Sequence, residues 1–405
     1  MTVTTNTLPG QHLRGGDLPQ LVNILQGIDR QTVDLVLPAS RLAVADTRLV
    51  LADVDPIIGD SGVTDVNGSF AFTSTAVGHI AGITDIPTRY LRRTQSLHPA
   101  LFDANVNGWL THDSLDDKNI LVRLLVGLDS NNPELAGQVR ALLSDRYGAR
   151  DNLPFLLAAL DGIRSAGLRA DQLDIKGDLT EDRMYVTINA PEIQGYGWKL
   201  LEGYRSPYGN GSGTGHGGSD AENLPIISAG LLIQNSETGG SAAKITPRLV
   251  VRACSNGLQV TKDAMRQVHL GAKLAEGEVE WSAETRRAAN ELARTQAADA
   301  VKSFLNATYV QKVIDSLEAD ADTPVKEVKK TIEVVAKEQG YTEAEADSIL
   351  NFFIDGGQRT AGGVLQAITA AVQQIEDPER AFDIESTAFD ALKVAARVAR
   401  EEVTA

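Results

Sequence analysis

The sequence predicts an α+β protein: an antiparallel sheet with helices on one side through about Leu258, then a helical module. Three observations carry that class. Runs of β-branched residues and Leu, bounded by turn residues, recur through the first two-thirds of the chain. Apolar residues at spacings of three and four interleave with them. After Leu258 the helical period is nearly continuous. The 405 residues exceed the roughly 250–300 at which a single core stops growing, so more than one unit is expected. The expected division is an arm with a short helix at 1–30, an α+β core at 31–258 and a helical C-terminal module at 259–405.

Each element follows from its residues. Leu18, Leu21, Val22, Leu25 and Ile28 form the stripe of a short amphipathic helix. Residues 33–37 and 47–54 read as strands, and 65–68 as a hairpin turn feeding a strand at 69–72. From Thr73 the period is helical until Asp85-Ile86-Pro87, since the residue before proline avoids the helical region. A helix restarting at Pro87 puts Arg89, Arg92 and Arg93 on one face, and another over 99–110 turns Phe102, Val106, Trp109 and Leu110 toward a core. Residues 120–128 and 139–147 are apolar runs around a turn, the second fitting either a strand or a helix end. Residues 153–163 read as a helix, 184–188 as a half-buried strand, and 226–233 with 245–251 as a long hairpin. Further on, Pro324 falls at a first helical position and Thr342 with Glu345 has capping-box spacing. Gly340 and Gly356-Gly357 are the matching stops.

The formal charge is -16 and the pI near 4.9, so the average surface repels polyanions and a nucleic acid must be met by a local basic groove. Divided at Leu258, the chain has 21 Lys+Arg against 28 Asp+Glu before the division and 17 against 26 after it. The earlier basic residues are mostly Arg, which forks onto phosphate and stacks on bases. Cys254 is the only cysteine, which excludes an intrachain disulfide and a multi-cysteine zinc cage and fits a reducing compartment. Residues 1–30 lack a signal-peptide core, and no apolar run approaches the ~20 residues of a membrane helix. A cytoplasmic protein without membrane contact is expected.

Three blocks in order carry a resemblance. The first is Phe72-Thr73-Ser74, then Asp85-Ile86-Pro87, Arg89-Tyr90-Leu91 and Asn105-Val106-Asn107-Gly108-Trp109-Leu110. The second runs from Arg140 to Tyr147 and on to Asp151-Asn152. The third is Asn235-Ser236-Glu237-Thr238-Gly239 with Arg252-Ala253-Cys254-Ser255-Asn256-Gly257. Together the blocks resemble domain-of-unknown-function family 932 of phages and plasmids, over roughly residues 33–271, with a weaker echo at 366–369. The Gly-rich insertion at 208–220 departs from the family's pattern. The resemblance implies no assigned chemistry and no cofactor; it implies a DNA or RNA transaction through mobile-element context.

Among candidate sites, residues 195–208 concentrate rings and positive charge in a chain that is 5% aromatic. Tyr196, Trp198, Tyr204 and Tyr208 offer stacking platforms worth roughly 1–3 kcal/mol per base, and Lys199 and Arg205 offer phosphate contacts. The competing account packs the rings against the core and makes the glycines ordinary turns. Residues 213–218 match G-x-G-x-x-G without the flanking strand and helix a dinucleotide site needs, so they read as a linker or flap. Arg89, Arg92, Arg93, Arg123 and Arg146 form a candidate phosphate track, set against a solvated face paired with carboxylates. Asp145 and Asp151, with Arg146, Tyr147 and Asn152, either brace a turn or hold a hard cation. Asn235, Ser236, Glu237 and Asn256-Gly257 read as turn residues, and Cys254 as buried and inert. No nucleophile elbow, Walker loop, zincin helix or paired-Cys motif is present, and the six His, among them His79, His112, His216 and His269, lie in unrelated contexts.

The expected function is single-stranded nucleic acid binding, to DNA or RNA, in annealing or protecting strands, with homo-oligomerisation through the C-terminal helices. Two rivals are a structural or protein-interaction role and a divalent-metal enzyme using Asp145 and Asp151.

Overall fold

The computed structural model describes residues 12–59, 62–127, 132, 134–148, 150–204, 226–251, 256–267, 277–278 and 283–404. Strand β1 (Leu13–Asp17) leads into α1 (Leu18–Gln31). A capping box starts that helix: Asp17 accepts from the Gln20 backbone N–H at 2.8 Å, and the Gln20 side chain accepts from the Asp17 N–H. There follow β2 (Thr32–Pro38), β3 (Ala43–Ala45), β4 (Arg48–Leu51), β5 (Ile57–Gly59), β6 (Gly62–Thr64) and β7 (Gly68–Phe72). Helices α2 (Ser74–Thr84), α3 (Thr88–Leu97) and α4 (Pro99–Leu110) come next, then β8 (Asn119–Val126) and β9 (Gly137–Ser144). The middle of the chain holds α5 (Asn152–Ser165), β10 (Asp174–Leu179), β11 (Met184–Tyr196) and the short α6 (Trp198–Leu201). Strands β12 (Ile226–Asn235), β13 (Ala243–Val251), β14 (Asn256–Gln259), β15 (Met265–Gln267) and β16 (Gly277–Glu278) precede the helical region. That region comprises α7 (Ala283–Phe304), α8 (Ala307–Ala321), α9 (Val328–Gln339), α10 (Glu343–Gly356), α11 (Ala361–Val372) and α12 (Pro378–Thr404).

The fold is mixed α+β with a helical C-terminal region, but the one expected sheet is two sheets of seven strands and a two-stranded ribbon. The first sheet has the order β16-β2-β8-β9-β7-β4-β3 and is antiparallel except for the β7–β9 pair. The second has the order β1-β10-β11-β12-β13-β14, with β15 also on β13, and is antiparallel throughout. Strand β8 shows why two layers form. Its Ile120, Val122 and Leu124 face the core under α2, α3 and α4, while Leu125 faces the core of the second sheet. A strand apolar on both faces requires cover on both. The second sheet shares one core with α1, α5 and the C-terminal helices.

Several local expectations shift. Residues 139–144 resolve as part of strand β9, with 145–147 beyond its end, and β11 runs on to Tyr196, so Gly195 belongs to a strand. Pro324 does not start a helix; it bridges to Thr360, and α9 begins at Val328. Residues 65–68 lead from the ribbon into the first sheet and do not close a hairpin, because β7 pairs with β4 and β9. Asn256 opens β14 rather than forming a turn. The Thr342/Glu345 capping box and the left-handed stops at Gly340 and Gly357 are present. Among the described residues no helix is long and apolar enough to cross a membrane.

Candidate functional site

Helix α3 is seated by Leu91 and Thr94 alone, so most of its surface faces solvent. Arg89, Arg92 and Arg93 are all exposed, and none of them is ion-paired among the described residues. Arg92 Nη2 donates to Ser74 Oγ at 3.1 Å, which steadies one guanidinium at the start of α2 without neutralising it. Tyr90, Arg93 and Leu97 follow one stripe of α3, with Tyr90 and Leu97 exposed at 41% and 62%.

Helix α4 lies beside it and adds a second stripe, Leu101, Asn105 and Trp109. Asn105 Nδ2 donates to Tyr90 Oη at 3.4 Å, joining the two stripes into one surface. The other side of α4 is fixed to the β3–β4 hairpin. Asn107 accepts from the Val44 N–H at 2.8 Å and donates to the Val44 carbonyl at 2.7 Å, and Asp103 accepts from the Thr47 N–H at 2.9 Å. With Phe102, Val106 and Leu110 forming the buried stripe, Trp109 sits about 60° from the stripe's centre and is 42% exposed, contrary to its expected place in the core. Its ring centre is 5.2 Å from that of His112.

The aromatic segment occupies a different place. Along Gly195-Tyr196-Gly197-Trp198 the glycines face inward and the rings outward. A Cβ on Gly195 would stand 2.8 Å from Ile314, and one on Gly197 would stand 2.9 Å from Ile227 and 3.2 Å from Ile314. These glycines admit α8, which neither a turn nor a ligand loop would require. Tyr196 and Trp198 are 50% and 65% exposed. Gln311 clamps the Tyr196 backbone, accepting from its N–H at 2.9 Å and donating to its carbonyl at 3.0 Å. Farther along the same stripe of α8, Asp315 accepts from Gln311 and Glu318 accepts from the Lys199 N–H at 2.8 Å, and Asp322, just past the end of the helix, lies 3.6 Å from Lys199 Nζ. Carboxylates therefore line this segment. Tyr204 is half-buried against the core, and Arg205, Tyr208, residues 209–218 and Cys254 lie outside the described residues. Helix α3 packs on α2 and α4, whereas α6 packs on α8 and α11, so the arginines and these rings belong to different cores.

A third group is buried where the two sheets meet. The tip of the β12–β13 hairpin, Asn235 to Thr238, is no more than 3% exposed and inserts between layers instead of standing in solvent as a hairpin end. Arg123 on β8, expected on a phosphate track, is here. Its Nε and Nη2 fork onto the two Asp34 oxygens at 2.8 Å each, Nη2 lies 2.7 Å from Asp151 Oδ1, and Nη1 donates to the Glu237 carbonyl at 3.1 Å. Those carboxylates hold the guanidinium pKa well above its usual value against the cost of burial, and no face of it is left for a phosphate. The same contact turns Asp151 toward a cation of the protein itself. Among the described residues no cluster of three or more His, Cys, Asp or Glu could hold a metal ion.

Around the tip, Glu237 pairs with Arg140 and accepts from the Asn152 N–H at 2.6 Å. Asn235 Nδ2 donates to the Arg150 carbonyl at 2.8 Å, and the Ser236 and Thr238 hydroxyls both donate to Asp182. Arg146 is exposed and contributes its backbone N–H to Ser144 Oγ at 3.1 Å. Sequence reasoning missed Arg140 and the ring of Trp109. The signal for the first was there: β8 and β9 each place one Arg inside an apolar run, and an Arg so placed needs a buried carboxylate.

No protein-family model, curated protein or solved structure matches this chain.

Proposed function

We propose that the protein binds single-stranded nucleic acid through the α3–α4 hairpin, with Arg89, Arg92 and Arg93 on phosphates and the rings of Tyr90 and Trp109 against bases. The observation carrying this reading is three exposed arginines without carboxylate partners among the described residues, within five positions, beside two exposed rings. From Ser74 to His112 the chain has three Arg and two Asp, a locally positive stretch in a protein of charge -16. Arginines free of acid partners can release counterions from a phosphate backbone, and a ring stacks on any base. The sequence resemblance to phage and plasmid proteins, which no family model matches, would place such binding in strand annealing or protection. Residues 196–199 are left out of this interface because Asp315, Glu318 and Asp322 would repel a phosphate there. A second reading, a protein partner on the same hairpin, is favoured by the exposed Leu97 and Leu101.

Fluorescence anisotropy with a labelled oligothymidine at about 50 mM and about 200 mM salt tests the reading. Three phosphate contacts on a single strand give a slope of log affinity against log salt of about -2. Replacing the three arginines together by Gln should flatten that slope. Trp109→Ala should cost roughly 1–3 kcal/mol in affinity with the slope unchanged. No binding at low salt, or an unchanged slope in the triple variant, overturns it.

A further inference from the structure

We infer that the exposed rings of Tyr196 and Trp198, with the carboxylates of α8 beside them, dock the arginine face of α3 on a second copy of this chain. The receiving surface is prepared in advance. Gln311 clamps the Tyr196 backbone and Glu318 takes the Lys199 N–H, so the rings are presented from a fixed support, and ordering them costs little on binding. Asp315 and Glu318 on α8 and Asp322 just past its end lie on one side next to the rings, with Lys199 near Asp322 and Lys312 one turn before Asp315. A ring face next to a carboxylate is the environment a guanidinium prefers, since it stacks on the ring while its N–H groups fork onto the acid.

The occupant follows from charge. Helix α3 offers three arginines without an ion pair among the described residues, with Tyr90 and Leu97 as neighbours. Within one chain α3 and the ring segment are built onto different cores, so the complement has to arrive on another molecule. The contact joins two unlike patches, which makes it heterologous: it closes into a ring or extends as a filament. The arginines of one molecule then lie against the acids of the next. A nucleic acid competing for those arginines would dissolve the assembly. That last consequence rests on the nucleic-acid reading; the self-contact does not.

Sedimentation velocity on the full chain tests the contact, with circular dichroism melting to verify that each variant folds. The wild-type chain should associate with rising concentration at about 50 mM salt and fall apart at about 200 mM. Two charge-reversed variants, R92E/R93E and D315K/D322K, should each be monomeric alone and should associate when mixed, because only the mixture restores opposite charges. Trp198→Ala should weaken association about tenfold or more, as expected for a Trp anchor. A monomeric wild-type chain at low salt, association unaffected by either reversal, or a mixture that stays monomeric overturns the inference. Anisotropy on Trp198→Ala, which weakens the self-contact without adding positive charge beside the rings, keeps the two ideas apart. Oligothymidine binding by that variant supports the nucleic-acid face independently, while restored association in the charge-reversed mixture without any binding leaves the self-contact standing alone.

Discussion

Glu237, at the tip of the β12–β13 hairpin, is paired with Arg140 on β9, a strand of the other sheet, and the two side chains are 4% and 1% exposed. The pair is a bolt between the layers. Arg123 sits one strand away with its own acids, Asp34 and Asp151, and also donates to the Glu237 carbonyl. Four elements that are distant in sequence converge there: β2, β8, β9 and the hairpin tip.

Removing one partner of this pair should cost far more than removing both. Glu237→Ala leaves Arg140 charged and buried, and a loss of about 3–5 kcal/mol is expected from the urea midpoint. Replacing both, as in R140M/E237L, should recover much of that loss, because two apolar side chains have no desolvation to offset. A near-neutral Glu237→Ala would show that the tip is not held by charge.

The approach of α8 to β11 depends on the absence of a side chain at Gly195. A methyl group there would stand 2.8 Å from Ile314 Cδ1 and 2.9 Å from Val310 Cγ1. Gly195→Ala should destabilise by roughly 1–3 kcal/mol through overpacking. Ile314→Val removes the nearest atom, so the double variant G195A/I314V should be less unstable than the sum of the singles. Strict additivity in thermal or urea unfolding would place the cost elsewhere.

His79 should make stability fall on acidification. Burial holds its pKa below the usual 6.5, Asp182 opposes that shift, and Nδ1 accepts from the Leu142 N–H at 3.2 Å. The unfolded chain binds this proton more readily than the folded one, so stability is present above about pH 6.5 and declines as pH falls through that value, levelling below the folded pKa. In His79→Gln the unfolding free energy should lose this slope between about pH 6.5 and pH 5. An identical slope in the variant would assign the pH dependence to other groups.

Periodicity and end signals made much of the secondary structure readable. The stripe from Leu18 to Ile28 became α1, Pro99 to Leu110 became α4, and the hairpin at 226–251 and the capping box at Thr342 are where their residues put them. The exposure of Arg89, Arg92 and Arg93 was legible in the same way, since three charges on one helical face leave only the opposite face for the core. Trp109 was not. It stands next to the buried position Leu110, and spacing alone cannot assign a residue at the border of a stripe.

What the chain alone determined is what neighbours within a turn or a strand decide: caps, stripes, strand runs and the positive face of α3. Which sheet a strand joins, and whether a polar residue ends inside or outside, depended on contacts between residues far apart in sequence. Arg123 and the tip at Glu237 look like surface groups in isolation, and they are interior because Asp34 and Asp151 for the one and Arg140 for the other supply the opposite charges that make their burial tolerable. Likewise Tyr196 and Trp198 read as basic-site rings until α8, more than a hundred residues later, brings its carboxylates beside them.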